Sequence, residues 1–170
     1  MRTYLNRLAP RYDHVDSTGC FGNKIPELAV GSPVLLNAIL ASAARHMSMQ
    51  GELDDAVTLR YQSAAMTKLL PRFQQGIFDT DGLTAAVLLR HTLMRVDTCD
   101  SAYLLNALPS LDVYLAIWHA SLQSTLHAAL SISMLRMSIF ACWVEGTIPA
   151  VEADCSWMTG CYYPGTTVQD

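Results

Sequence analysis

Apolar residues recur at helical spacing through most of residues 32–144 of this 170-residue chain. Ser32 is suited to cap the first long helix, Pro33 suits its first turn, and Gly51 suits its end. One helix face is predicted to hold an apolar stripe, because the residues concerned are three or four positions apart. This stripe consists of Leu36, Ile39, Leu40, Ala43 and Met47.

Two further helices are predicted before residue 97. The second helix should run from about residue 52 to residue 70 and end at Pro71, because the residue before a proline disfavours the α conformation. The third helix should cover residues 82–96. Its first turn can be capped by any of three polar residues, which are Asp79, Thr80 and Asp81.

The last part of the helical pattern predicts a short helix over 101–108 and a long helix from 111 to 144. Because an unbroken helix of that length is unusual in a globular domain, a kink or turn is expected near 131–133. The apolar character of 111–144 raises the question of a membrane span. Polar and charged residues interrupt the segment and favour a packed core helix, namely Asp112, His119, His127 and Arg136.

The two ends of the chain show no sustained helical period. Residues 1–31 are punctuated by proline and glycine and are predicted to form an extended lead-in. Residues 146–170 contain no Lys or Arg and are predicted to form an irregular acidic tail. The helical domain is therefore expected to span 32–145. Since no strand pattern or internal repeat occurs, the predicted class is all-α, an array of antiparallel helical hairpins.

Composition and charge narrow the expected partners. Hydrophobic residues make up 51% of the chain and charged residues only 15%, so we expect apolar surface to be buried against a partner or a further part of the domain. The formal net charge of −4 argues against direct nucleic-acid binding by this segment. The N-terminal residues lack an apolar run of signal-peptide length, which predicts the cytosol or the nucleus.

The chain shows no motif that predicts catalysis, a cofactor or a metal. It has neither a glycine-rich phosphate loop nor a Gly-x-Ser-x-Gly elbow. His119 and His127 share a helix face but have no carboxylate at the spacing of a helical metal pair. A Cys/His catalytic pair stays open, because such partners meet only in space. The cysteines lack the short paired spacing of zinc sites and are predicted to be reduced, buried thiols: Cys20, Cys99, Cys142, Cys155 and Cys161.

Several segments together resemble one protein family. They are Ile25-Pro-Glu-Leu-Ala29, Ser32-Pro-Val-Leu-Leu-Asn-Ala-Ile-Leu-Ala41, Ala44-Arg-His-Met-Ser48 and Asp81-Gly-Leu-Thr-Ala-Ala-Val-Leu-Leu-Arg90. The combination resembles the regulatory domain of fungal zinc-cluster transcription factors, the fungal-specific transcription factor domain, over residues 5–97. The residues that match the family signature are Pro26, Ala29, Pro33, Leu36, Ala38, Ala41, Arg45 and His46.

This resemblance implies an all-helical regulatory domain and no enzyme or cofactor. It implies action in the nucleus on RNA polymerase II transcription, through protein contacts or ligand sensing, with a related transcription factor as a homo- or heterodimer partner. The six-cysteine zinc cluster of the family is absent, so DNA would be contacted only indirectly or through a separate module. The charged stretch that follows the tryptophan-containing helix in the family is also absent after Glu145, so the C-terminal half of the domain is expected to be incomplete.

Two alternatives stay open beside this interpretation. The chain could be an orphan protein-interaction module or a gene fragment that dimerises with a full-length relative. It could also be a small helical Cys/His enzyme, which only the cysteines at 155 and 161 suggest. Within the family signature, the preferred interpretation of Arg45 and His46 is that they are cations at a helix C-terminus, where they complement the helix dipole.

Overall fold

The computed structural model describes residues 1–15, 18–94, 104–120 and 124–145. These ranges contain helices and no strand, which confirms the all-α class for the described part of the chain. Helices joined by short connections pack side by side, as the predicted hairpins require. The helices are α1 (Ala9–Tyr12), α2 (Lys24–Gly31), α3 (Pro33–Ser48), α4 (Asp55–Gln74), α5 (Thr80–Leu93), α6 (Leu111–Ala120) and α7 (Thr125–Glu145).

The prediction of an extended lead-in over residues 1–31 is wrong. A π-helical turn, Tyr4–Leu8, leads into α1, and α2 follows after a short connection. Pro26 lies in the first turn of α2, where the backbone N–H that proline lacks would have no helical partner. Pro10 lies at the start of α1, directly after the π-helical turn. These prolines were interpreted as helix breakers, but in these positions they are compatible with a helix.

This N-terminal segment belongs to the hydrophobic core. Tyr4, Phe21 and Ile25 are almost fully buried. The Tyr4 hydroxyl donates to the Phe21 carbonyl oxygen at 3.1 Å. The Asp13 carboxylate accepts the backbone N–H groups of Phe21 at 2.7 Å and Gly22 at 2.8 Å. Polar groups distant in sequence therefore fold the segment back onto the domain.

Local signals place both ends of α3. The Ser32 hydroxyl oxygen lies 3.5 Å from the Leu35 backbone nitrogen and caps the helix as predicted. Gly51 has a positive φ of 74°, and its N–H donates to the Ser48 carbonyl at 2.9 Å. The N–H of Glu52 reaches back to the Met47 carbonyl at 3.0 Å, which completes a Schellman motif. The predicted end of this helix is therefore confirmed.

The buried face of α3 differs from the predicted stripe. Leu36, expected in the core, is 36% exposed. Ser42, which lies outside the predicted stripe, is buried, and its hydroxyl donates to the carbonyl oxygen of Leu88 in α5 at 3.3 Å. Small residues on this face allow α5 to pack against α3. The most deeply buried positions are Leu35, Ala38, Ile39 and Ala41.

Helix α4 does not end at Pro71 as predicted. It begins at Asp55, with the Asp54 side chain accepting the Ala56 N–H at 2.9 Å, and it continues through Pro71 to Gln74. Because Pro71 lies one turn from the end, its missing N–H removes only one bond of the helix ladder. Gly76, whose φ is 73°, ends the helix in a second Schellman motif, with Ile77 N–H donating to the Arg72 carbonyl at 2.9 Å.

Gly76→Ala should lower the free energy of unfolding by about 1 kcal/mol. An alanine at positive φ costs about 1–2 kcal/mol, and its less flexible unfolded chain offsets part of that cost. Gly31→Ala is the matched control, since Gly31 has open space around its Cα and no positive φ. Urea unfolding of both variants measures the effect, and equal midpoints for the two would contradict the assignment of Gly76 to a left-handed helix end.

Helix α5 is the central element of the described fold. The Asp79 carboxylate accepts the Gly82 N–H at 3.0 Å, so Asp79 is the cap among the three candidates. Almost every residue of α5 from Gly82 onward is buried, as expected for a helix surrounded by neighbours. It packs against α3, α4 and α7. The predicted C-terminal extension of this helix past Met94 lies outside the described residues.

The predicted break near 131–133 in the last long helix is wrong. Instead, α6 ends at Ala120, Ser124 is not helical, and α7 begins at Thr125. Two serines that suggested the break lie inside α7, and Ser131 donates from its hydroxyl to the Tyr114 carbonyl oxygen at 3.2 Å. Within the described ranges, no helix combines the length and apolarity needed to cross a membrane. Part of the predicted helix over 101–108, and all of 146–170, lies outside the described residues.

Candidate functional site

A cleft of about 270 Å³ opens between the N-terminal helical segment, α3, α5 and α7. Its walls combine arginine, histidine and hydroxyl side chains with a few apolar groups, and contain no Asp or Glu among the described residues. The lining consists of Leu8, Arg11, Tyr12, Ser42, Arg45, His46, Met49, His91, Thr92 and Arg136. We refer to this site below as the arginine cleft.

Helical spacing explains how each wall presents several side chains. At the end of α3, the residues Ser42, Arg45, His46 and the C-cap Met49 are separated by three or four positions along the chain, so they share one face. The N-terminal segment repeats this pattern with Leu8, Arg11 and Tyr12. Two amphipathic faces therefore meet at the cleft, and α5 and α7 complete it.

The floor of the cleft is a pair of buried hydroxyl groups. The Thr92 hydroxyl donates to the Leu88 carbonyl oxygen, one turn earlier in α5, at 2.9 Å. The Ser42 hydroxyl lies 3.1 Å from that of Thr92, and either can be the donor. Both groups thus have protein partners, which offsets the cost of burying them. Their remaining lone pairs can accept hydrogen bonds.

His91 is held in place at one side of the cleft. Its Nε2 atom lies 3.1 Å from the Ser133 hydroxyl oxygen of α7, and the tautomer decides which group donates. The Tyr12 ring packs at a tilt against the imidazole, with 4.8 Å between ring centroids. Because Tyr12 also packs 5.1 Å from the Phe21 ring, the cleft wall is continuous with the N-terminal core.

Arg45 joins the cleft to the turn of the α3–α4 hairpin. Its Nη1 atom donates to both carboxylate oxygens of Asp55, at 2.8 and 3.0 Å. Ser48 donates its hydroxyl to the same carboxylate at 2.7 Å. The hydrogen bond from Ser48 and then that from Arg45 hold the pKa of the exposed Asp55 below its ordinary value. The carboxylate therefore fixes the position of the guanidinium at the cleft wall.

The other two arginines of the cleft differ from Arg45. Arg11 and Arg136 are exposed, and neither forms a hydrogen bond or ion pair with another side chain in the part of the chain that the structure describes. Guanidinium groups keep their charge at any physiological pH. Like charges gathered without counter-charges create a positive potential, which attracts anions.

Two of the eight family-signature residues line the cleft, namely Arg45 and His46. Both lie in the last turn of α3, which is where a helix dipole favours cations. The other six do not line the cleft. Pro26 and Pro33 lie in first turns and Leu36 is exposed, while the close-packed positions are Ala29, Ala38 and Ala41.

Sequence reasoning missed most of the cleft. Arg11, Tyr12, His91 and Arg136 belong to separate segments, and no local pattern connects them. A partial signal was the helical spacing of Arg11 and Tyr12, three and four positions after Leu8, but that segment was interpreted as extended. These residues meet only because α1, α5 and α7 pack around the end of α3.

The described residues offer few alternatives to this cleft. They include no group of three or more His, Cys, Asp or Glu side chains that could hold a metal ion. Cys20 is buried, with its sulfur 2.9 Å from the Thr18 hydroxyl oxygen. The cysteines at 99, 155 and 161, and the side chain at 142, lie outside the described part.

Chemically, the cleft presents charged donors above a polar floor, an arrangement suited to binding an anion. In comparisons with known proteins, no family model, curated protein or solved structure matches this chain.

Proposed function

We propose that this chain is a regulatory domain of the fungal zinc-cluster transcription factor type. In this proposal it acts in the nucleus, regulates RNA polymerase II transcription and contacts DNA only through another module or a related factor. The observation on which the proposal rests is the combined resemblance of residues 25–48 and 81–90 to that family. The chain is not proposed to be an enzyme.

The place of these segments in the fold supports the proposal. Residues 25–48 form α2 and α3, and residues 81–90 form most of α5, so the segments that resemble the family make up the centre of the described bundle. The signature ends at Arg45 and His46, in the wall of the arginine cleft. A regulatory domain that senses a ligand needs such a contact between a site and the packing of its helices.

A reporter assay tests this function. The full chain is fused to an unrelated DNA-binding domain in a fungal cell, and the transcript of a gene with the matching binding site is measured. We expect the fusion to change the transcript several-fold relative to the DNA-binding domain alone. Ile39→Asp is the control, because a charge at this fully buried position unfolds the domain and should abolish the effect. An intact, nuclear fusion that leaves the transcript unchanged would contradict the proposal.

A second candidate is a protein-interaction module that dimerises with a related factor. Two adjacent large apolar residues of α7 favour it, since Ile139 is 48% and Phe140 is 56% exposed. Exposed apolar patches frequently mark interaction surfaces. Light scattering of the purified chain separates the two candidates. The interaction module requires a dimer, and Ile139→Ser should weaken that dimer. A chain that is monomeric at all concentrations and binds no related factor would exclude the interaction module.

A further inference from the structure

We propose that the arginine cleft is a binding site for a compact organic dianion, such as a small dicarboxylate or a phosphate monoester. The proposal deepens the ligand-sensing part of the proposed function. Only its regulatory consequence rests on that function, because binding is a property of the purified protein. Failure of one can therefore be distinguished from failure of the other.

Charge is the first reason for assigning a dianion. Guanidinium groups approach the cleft from three separate segments, at Arg11, Arg45 and Arg136, and no carboxylate lines it among the described residues. Asp55 neutralises part of the charge of Arg45 only. Asp13, next to Tyr12 in sequence, already accepts two backbone N–H groups. Arg11 and Arg136 thus remain as two cationic forks, each able to bind an oxyanion through paired hydrogen bonds.

Size is the second reason. The volume of about 270 Å³ corresponds to about nine water molecules at their share of liquid volume. It falls just below the range of roughly 300–1,000 Å³ that is typical of larger ligands. A compact metabolite fits such a cleft, whereas a peptide helix or a nucleic-acid strand does not. The apolar parts of Leu8, Tyr12 and Met49 can contact a short carbon skeleton.

The floor adds a directional element. Within the Ser42–Thr92 pair, one hydroxyl hydrogen is directed to the Leu88 carbonyl and another can join the two oxygens. The remaining lone pairs of the two oxygens can accept a hydrogen bond from a hydroxyl or amide that the ligand carries beside its anionic groups. A ligand bound in this way would contact the N-terminal segment, α3, α5 and α7 at once, and would stabilise their packing by binding only the folded state.

Thermal unfolding of the purified full chain tests the proposal with two probes, succinate and inorganic phosphate. Each should raise Tm by about 5–10 °C at a concentration far above its Kd. Succinamide, which has the length of succinate without its charge, should leave Tm unchanged, as should sodium chloride at matched ionic strength. The tighter of the two anions identifies whether the natural group is a carboxylate or a phosphate, and either result supports the site.

Matched arginine variants locate the binding. Arg11→Gln and Arg136→Gln should each weaken binding of the probe by about ten-fold or more, since each removes charged hydrogen bonds. Both side chains are exposed, so Tm without a probe should be unchanged. Arg60→Gln, at an exposed arginine of α4 away from the cleft lining, should bind like the parent. The proposal is overturned if neither anion raises Tm, if sodium chloride raises it equally, or if the cleft variants retain full affinity.

Discussion

Phe21→Ala should lower the free energy of unfolding by about 3–5 kcal/mol, the typical cost of truncating a buried phenylalanine. The Phe21 side chain is 1% exposed and packs 5.1 Å from the Tyr12 ring. Both backbone groups of Phe21 are also hydrogen-bonded: its N–H donates to the Asp13 carboxylate, and its carbonyl oxygen accepts from the Tyr4 hydroxyl. The truncation leaves a cavity between the N-terminal segment and the rest of the core, which those hydrogen bonds prevent from collapsing.

Chemical unfolding, monitored by circular dichroism, measures this loss. Val30→Ala in the same segment is the control, because Val30 is 90% exposed and its truncation should change stability by less than about 0.5 kcal/mol. If Phe21→Ala fails to fold, Phe21→Leu keeps most of the volume and should cost about 1.5 kcal/mol or less. Equal stability of the Phe21 and Val30 variants would show that residues 1–31 are not part of the cooperative core.

Arg90→Met should lower the free energy of unfolding by about 2–4 kcal/mol, since it leaves buried acceptors without a charged donor. Arg90 Nη2 lies within hydrogen-bond distance of three backbone oxygens, those of Leu105 at 3.1 Å, Leu108 at 3.3 Å and Pro109 at 3.2 Å. Burial lowers the pKa of Arg90 from its ordinary value, but an arginine starts so high that it stays charged. The guanidinium thus attaches the segment before α6 to the central helix.

The Arg90→Met substitution should destabilise the segment before α6 locally, in addition to lowering the global free energy of unfolding. In Arg90→Met, amide hydrogen exchange should accelerate over residues 104–108 more than in α3. Arg90→Lys retains the charge but not the planar fork and should be intermediate in stability. Arg60→Met is the control, since Arg60 is exposed and its contact is with the neighbouring Tyr61 ring at 5.6 Å. A loss no greater than that control's, below about 1 kcal/mol, would contradict a structural role for Arg90.

Features that depend on neighbouring residues could be predicted from the sequence. The all-α class, the Ser32 cap, the Gly51 helix end and the choice of caps that includes Asp79 all follow from groups within a few positions of one another. Two local signals, a proline and a glycine, competed as the end of α4, and the wrong one was preferred. Pro71 was taken as the end of α4, although Gly76, with its freedom to adopt positive φ, ends that helix.

The N-terminal segment shows a different limit of sequence reasoning. Its prolines and glycines suggested an extended chain, yet Tyr4 and Phe21 are among the most buried residues of the domain. The decisive contacts span eight to seventeen residues, from Asp13 to Phe21 and from Tyr4 to Phe21. Hydrogen bonds of that range depend on how the chain folds back, and no pattern within a single turn of helix predicts them.

The sequence by itself determined the helical class, the starts of α3, α5 and α6, and the two cations at the end of α3, because these depend on backbone propensity and on contacts one turn apart. Only the tertiary structure decided which helix faces are buried and which side chains surround the cleft. Arg11, His91 and Arg136 are far apart in the chain. They come together because α5 is buried on all sides, with the neighbouring helices packed around it. Burial depends on every neighbour at once, so it is a property of the assembled fold.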